Sequence, residues 1–364
     1  MPKTSKLKLQ SGAWTISKPG KPNGGEDAYF ALEHFAGVAD GVGEWGDYGC
    51  CPRQFALALM EGSQEMALRQ EFHARPNCGG GMDGRRASER ALSVLRSGFE
   101  RALQEKGCFG SSTSLVVGLD AMGEKLGIAC LGDSSCIVLR RTRPIFRHMT
   151  ITRRTREQQH FFNCPYQLSR LPQPEDIPQL ENRGMFKLIR VLANIRPEMS
   201  SDSPDQADLI DIPVKEGDLI LIGTDGLFDN LFDQEIIALA SLALSPYEAR
   251  LFTGPNRDRP SEPPQHPGST ESMLYNARKW TEDWVTGRRA PPSALDPPCV
   301  NQDKTIATPP GHVARGIAEA AFYRSIDSRA KSPFAKAARA AGASAVGGKQ
   351  DDITVVACWV VSTD

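Results

Sequence analysis

Leu219-Ile220-Leu221-Ile222-Gly223-Thr224-Asp225-Gly226-Leu227-Phe228-Asp229-Asn230 runs four unbroken apolar positions into a glycine and then an acidic turn. Four apolar residues in succession suit a strand covered on both faces. Such a strand delivers Asp225 to the edge of a sheet. Working outward, three more segments repeat the arrangement: Gly25-Glu26-Asp27-Ala28-Tyr29-Phe30, Val38-Ala39-Asp40-Gly41-Val42-Gly43 and Gln350-Asp351-Asp352-Ile353-Thr354. One Asp-Gly pair by itself is only a turn, and a single strand-end aspartate is a cap. Carboxylates aimed the same way from several strand ends are what a hard divalent cation needs, because magnesium and manganese prefer oxygen ligands. Their spread from residue 25 to residue 354, together with Gly132-Asp133-Ser134, makes a metal cluster on a single fold the leading reading.

The rest of the pattern says what kind of fold carries them. Strand-like runs fall at 28–30, 35–39, 112–119, 126–131, 136–140, 209–212, 218–223 and 353–361. Helical periodicity falls at 53–69, 88–105, 233–244, 271–285 and 314–328. Pro52 suits a first helical turn and Gly107 a helix stop. Strands come in clusters between helix pairs rather than in strict alternation, which predicts largely antiparallel sheets covered by helices. Two tracts, 252–269 and 287–311, are proline-rich and poor in apolar side chains. They read as parts of a surface insertion, 252–311, around a helix bearing Trp280 and Trp284. Gly79-Gly80-Gly81 reads as a loop between helices. With acidic segments at both ends, the expected layout is one domain over 12–364 after a flexible segment, 1–11.

Composition narrows the functional classes. At 40% hydrophobic and 24% charged, the 364-residue chain has the balance of a soluble globular protein. A net charge of -1 provides no field for nucleic acid or an anionic membrane. The basic stretch from Arg140 to Arg156 reads as a solvated face. No apolar run reaches the roughly 20 residues of a membrane helix, and the start shows no secretory signal. Nine cysteines, an odd number without Cys-x-x-Cys spacing, fit neither a disulfide framework nor a zinc site. The compartment is expected to be reducing. No Cys-x5-Arg loop or activating partner supports a thiol nucleophile. The histidines His34, His148 and His160 read as structural.

Clustered carboxylates repel one another, and divalent cations relieve the repulsion. Two ions held about 3.5–4 Å apart lower the pKa of a shared water and aim it at an electrophile. Phosphate esters are the natural target.

In order along the chain, Gly-Glu-Asp-Ala-Tyr-Phe, Ala-Asp-Gly-Val-Gly-Glu-Trp, Leu-Gly-Asp-Ser, Thr-Asp-Gly-Leu-Phe-Asp-Asn and Asp-Asp-Ile-Thr-Val-Val resemble the metal-dependent protein phosphatase 2C family. The segment Gln158-Gln159-His160-Phe161-Phe162-Asn163-Cys164-Pro165-Tyr166-Gln167-Leu168 resembles its mitochondrial and plastid branch. The resemblance runs from about residue 12 to the C-terminus, with the proline-rich tracts as insertions. It implies an α+β fold, a four-layer α-β-β-α sandwich with two central, mainly antiparallel sheets. It implies hydrolysis of phosphoserine and phosphothreonine on proteins by in-line attack of a water between two magnesium or manganese ions. Phosphorylated proteins would be the partners, with no nucleic acid, no membrane span and a monomer favoured. A mitochondrial location follows by the same route, its leader absent or removed, with the cytoplasm as alternative.

Carried over by position, Asp40 matches the bridging ligand, Gly41 a carbonyl ligand, and Asp225 and Asp351 the remaining direct ligands. Asp40 and Asp225 would thereby activate the attacking water. Glu26 acts through water, while Asp27 and Asp352 stand behind the ligands. Asp133 and Asp229 match positions that hold a weaker third ion in some relatives. Two departures stand out. Val42 replaces the histidine that many relatives place after Asp-Gly to protonate the leaving alcohol. Pro22 replaces an arginine that holds the substrate phosphate, leaving Lys18 or Lys21 to substitute. The alternative is a catalytically silent phosphatase-like scaffold, and a metal-dependent nuclease is third.

Overall fold

Strands whose residues are apolar on both faces require cover on both sides, and the chain supplies it with a second sheet and with helices. The computed structural model describes residues 7–21, 25–73, 85–120, 124–143, 146–192, 202–243, 299–300 and 306–363. One five-stranded antiparallel sheet runs, in spatial order, β12 (Asp208–Pro213), β6 (Lys125–Leu131), β5 (Ser114–Leu119), β3 (Phe35–Ala39) and β2 (Ala28–Ala31). The other runs β1 (Leu7–Ile16), β16 (Ile353–Ser362), β13 (Leu219–Gly223), β7 (Ser135–Arg143) and β8 (Phe146–Arg154). Shorter pairings join β4 (Gly110–Ser112) to β11 (Leu168–Arg170), β9 (Gln159–Phe161) to β10 (Cys164–Pro165), and β14 (Cys299–Val300) to β15 (Ile306–Ala307).

Alternate residues of each strand serve different cores. Between the sheets, Val38, Leu115, Val117 and Ile128 meet Val138, Ile220, Ile222 and Val356. On the outer face of the first sheet, Phe35, Val116 and Ala129 pack on Phe55, Leu59 and Leu95 of α1 (Pro52–His73) and α2 (Ala87–Gln104). Outside the second sheet, Leu219, Leu221, Val355 and Ala357 pack against Ile236, Val313 and Ile317 of α6 (Asp233–Leu242) and α7 (Pro310–Ser325). The run 219–222 is unbroken because its even positions face one core and its odd positions the other. Burial of one such Leu or Ile contributes about 1.5–3 kcal/mol. The result is the expected α-β-β-α sandwich. Smaller helices complete it: α3 (Ile177–Asn182), α4 (Phe186–Leu192), α5 (Asp225–Phe228) and α8 (Pro333–Ala340).

Several expectations are corrected. Residues 7–11 are not a flexible leader: β1 pairs with β16 from Leu7 opposite Ser362 to Ile16 opposite Ile353. The run 112–119 breaks at Thr113 into β4 and β5. The proline-rich insertion cannot extend to 311, since Thr308 is fully buried and its carbonyl accepts from Trp359 Nε1 at 2.9 Å. The basic stretch runs along the β7–β8 edge with Arg153 and Arg156 exposed, as a solvated face would be, and the departure is Arg140, which grips buried Asp218 with two hydrogen bonds of 2.8 and 2.7 Å. His34 lies in the turn between β2 and β3. The expected helix 271–285 with Trp280 and Trp284, the tract 252–269 and Gly79–Gly81 lie outside the described residues. Cys130, Cys136 and Cys358 are buried thiols within the sheets, as small hydrophobes would be. Among the described residues, no helix is long and apolar enough to cross a membrane.

Candidate functional site

At one end of the sandwich, a cavity of about 1180 Å³ opens between the two sheets, lined among others by Glu26, Asp40, Gly41, Asp133, Asp225 and Asp351. Asp40 leaves the end of β3, every residue of which is buried. Its backbone is fixed by residues beside β4: Asp40 N–H donates to Thr113 Oγ1 at 3.2 Å, and its carbonyl accepts from Thr113 N–H at 3.0 Å and Ser112 Oγ at 2.8 Å. Gly41 then pairs with Ser112. A Cβ at Gly41 would stand 2.8 Å from the carbonyl oxygens of both Glu26 and Pro52, so no side chain fits. Asp133 sits in the turn from β6 to β7, which is where the chain crosses from one sheet to the other.

From the second sheet, β13 passes Asp225 into the short helix α5, whose turn brings Asp229 N–H to the Asp225 carbonyl at 2.7 Å. That helical turn is what puts Asp229 beside Asp225. Asp351 precedes β16, the neighbour of β13. A Cβ at Gly226 would fall 1.9 Å from the Asp352 carbonyl oxygen, so glycine is what lets the two acidic turns touch.

Behind the cavity, Asp352 ties the two chain ends together. It accepts from Lys18 N–H at 2.7 Å, Glu26 N–H at 2.8 Å and the Lys21 ammonium at 3.3 Å. Buried Asp27 accepts from Thr224 Oγ1 at 2.8 Å, and that hydroxyl in turn accepts from Thr354 N–H at 3.1 Å. Lys21 is committed to Glu26 as well as Asp352, and Lys18 Nζ lies 3.9 Å from Asp351. Both lysines line the cavity, engaged with carboxylates.

The electrostatics follow from this crowding. Burial, then repulsion from Asp27, Asp225, Asp351 and Asp133, holds the Asp40 carboxyl well above the usual range. Burial and Asp225 do the same to Asp133, and burial pushes Asp229 up to about 7 against the pull of Lys349. Asp351 is raised by burial and by Asp225, and Asp27 is pushed up to about 8 by burial and Asp352. Asp225 goes the other way. Burial raises it, but the Lys349 ammonium, a hydrogen bond from Asp40 and the Gly226 N–H outweigh that. The crowding thus drives the two carboxyls apart, Asp40 above the usual range and Asp225 below it.

One feature escaped the sequence reading, and one was read only as structural. Lys349, two residues before Asp351, sends its ammonium among Asp225, Asp229 at 2.8 Å and Asp351 at 3.5 Å. Its spacing within Gly-Gly-Lys-Gln-Asp-Asp was visible, but its direction was not. His160 lines the same cavity, stacked on Tyr166 at 4.2 Å with Nε2 3.0 Å from Asp202.

Among the described residues, no three acidic, histidine or cysteine side chains close around one point at metal-ligand range. Lysines stand among these carboxylates instead. The donor set nevertheless fits hard divalent ions. Every candidate ligand is oxygen, and Asp225 Oδ1 is buried with no hydrogen-bond partner, an unmet need that a cation answers.

No protein-family model matches the chain. It is 36% identical over 231 residues to the protein phosphatase PTC7 homologs of Xenopus laevis and Homo sapiens, covering 62% of this chain and 64% and 62% of theirs. It is 30% identical over 360 residues, 98% of its length, to probable protein phosphatase 2C 80 of Arabidopsis thaliana. The chain is thus similar in sequence to 2C-type protein phosphatases. It spans 60–64% of the length of these curated relatives. Among solved structures, that of the photosystem II phosphatase PBCP matches with a TM-score of 0.58 over 96% of this chain and 98% of the other, at 23% identity. At that identity the likeness speaks for the fold.

Proposed function

We propose that this chain is a metal-dependent protein phosphatase that hydrolyses phosphoserine and phosphothreonine. The supporting observation is the arrival of Asp40, Asp133, Asp225 and Asp351, from both sheets and from distant parts of the sequence, at one cavity. Asp40, the Gly41 carbonyl, Asp225 and Asp351 would hold two magnesium or manganese ions. Glu26 would act through water, and Asp133 and Asp229 would hold a third ion. When bound, such ions supply an ionised water and offset phosphoryl charge. The chain itself does the rest. Asp27 and Asp352 hold the acidic turns in place, and Thr224 orients Asp27. Lys18 and Lys21 supply positive charge at the cavity wall where a phosphate dianion enters. With valine at position 42, His160 is the histidine that lines the cavity, and Asp202 fixes its ring.

Purified protein should hydrolyse a phosphopeptide with manganese and lose this with EDTA. Asp40→Asn and Asp225→Asn should each lower the rate at least a hundredfold while leaving the melting profile cooperative. Full activity in both variants overturns the site. Manganese binding without turnover favours the silent scaffold, the reading that Val42 supports. The resemblance of residues 158–168 supports a mitochondrial location, and recovery of the protein solely in cytosolic fractions overturns it.

A further inference from the structure

Lys349 is held with unusual care for a surface-derived lysine. Its backbone is clamped by fully buried Asn230, which accepts from Lys349 N–H at 2.9 Å through Oδ1 and donates to the Lys349 carbonyl at 2.9 Å through Nδ2. Asn230 is itself fixed by donating to the Gly226 carbonyl at 2.9 Å. The ammonium then reaches Asp225, Asp229 and Asp351 at once, and lies 5.2 Å from the centroid of the Phe334 ring. Its side chain is only 16% exposed. One cation thus meets three carboxylates that arrive from two separate stretches of the chain.

We propose that Lys349 is a built-in counter-ion that occupies the Asp225–Asp229–Asp351 side of the cavity and competes with divalent ions for it. This rests on the metal reading given above. An ammonium and a divalent ion cannot share the same carboxylate oxygens, since like charges a few ångströms apart repel and each oxygen offers limited lone pairs. A divalent ion must therefore either displace the ammonium from the Oδ2 atoms of Asp225, Asp229 and Asp351 or bind at oxygens such as Asp225 Oδ1 against its repulsion, while Asn230 keeps the lysine backbone in place. The lysine stabilises the metal-free fold and weakens metal binding through one and the same set of contacts.

The test is Lys349→Met, which keeps the apolar stem and removes the charge, examined by calorimetric titration with manganese alone. The variant should bind manganese at least tenfold more tightly than the parent. Its metal-free melting temperature should fall, and its rise on adding manganese should be larger. If the variant folds only with metal, the same constant is read by loading it with manganese and withdrawing the ion with graded chelator. An affinity equal to or weaker than the parent's overturns the proposal and leaves the metal site standing. A parent protein that takes up no manganese at all overturns both.

Discussion

Asn230 shows how much one buried amide can hold. Its carboxamide makes three hydrogen bonds that join α5 to the segment before β16. Replacing it with alanine leaves two carbonyls and one N–H without partners, and each buried unsatisfied group costs about 1–3 kcal/mol. Asn230→Ala should lower the unfolding free energy by roughly 2–5 kcal/mol in urea titration. It should also weaken the placement of Lys349. Gly226→Ala is the harsher change, because the added methyl would overlap a backbone carbonyl that cannot move without carrying β16 with it. That variant should be insoluble, or folded only with a displaced Asp351, and a soluble protein with unchanged melting temperature would contradict the packing described. Both residues were in view from the start within Thr-Asp-Gly-Leu-Phe-Asp-Asn. The turn was legible because its backbone demand is local, whereas the partner across the turn, Asp352, is more than a hundred residues away.

At the level of elements, β1 is the instructive case. The sequence reading leaves residues 1–11 as a flexible segment and starts the domain at 12, whereas the strand already begins at Leu7. Its stability comes from its neighbour: ten residues pair in register with β16, and Leu9 enters the core between the sheets. Removing residues 7–16 would uncover the long apolar strand β16 along its whole edge, which is a template for aggregation. The truncated protein should be recovered in aggregates by size-exclusion chromatography. A monomeric, cooperatively folding truncation would show that β1 is dispensable. By contrast β3, β5, β6 and β13 were readable directly, since strands covered on two faces must be continuously apolar. The edge strand β8 was not, because its arginines and threonines read only as part of a solvated basic face.

Across the whole molecule, the acidic end governs how stability depends on pH. Asp27 and Asp229, at about 8 and about 7, lie above their values in an unfolded chain, and Asp40, Asp133 and Asp351 are displaced the same way. Over this range the folded state binds more protons than the unfolded one, so stability falls as pH rises from about 4 to 8. Asp225, whose carboxyl is depressed, is ionised in both states above about pH 5 and leaves this slope unchanged. The melting temperature of the metal-free protein should therefore decline between pH 5 and pH 8. Manganese replaces protons at the same oxygens, so its stabilising effect should grow over that interval, reaching about 2.7 kcal/mol at a free concentration a hundredfold above Kd. A metal-free stability that climbs steadily from pH 5 to pH 8 would show that the carboxyls are not crowded as described.

What the sequence determined by itself was local and periodic: continuous apolar strands, glycines next to aspartates, and helices with one apolar face. Those patterns are dictated within a few residues by backbone sterics and by burial, and they sufficed for antiparallel sheets covered by helices and for the acidic turns, while the four-layer sandwich was implied by the family resemblance. Which groups meet was left to the tertiary structure. Sheet pairing put β1 against β16, carried Asp352 to the backbone of Lys18 and Glu26, and turned Lys349 inward onto three carboxylates. A lysine's sequence neighbours do not fix where its long side chain ends. The summed field of aspartates gathered from distant strands does, and that field exists only in the folded chain.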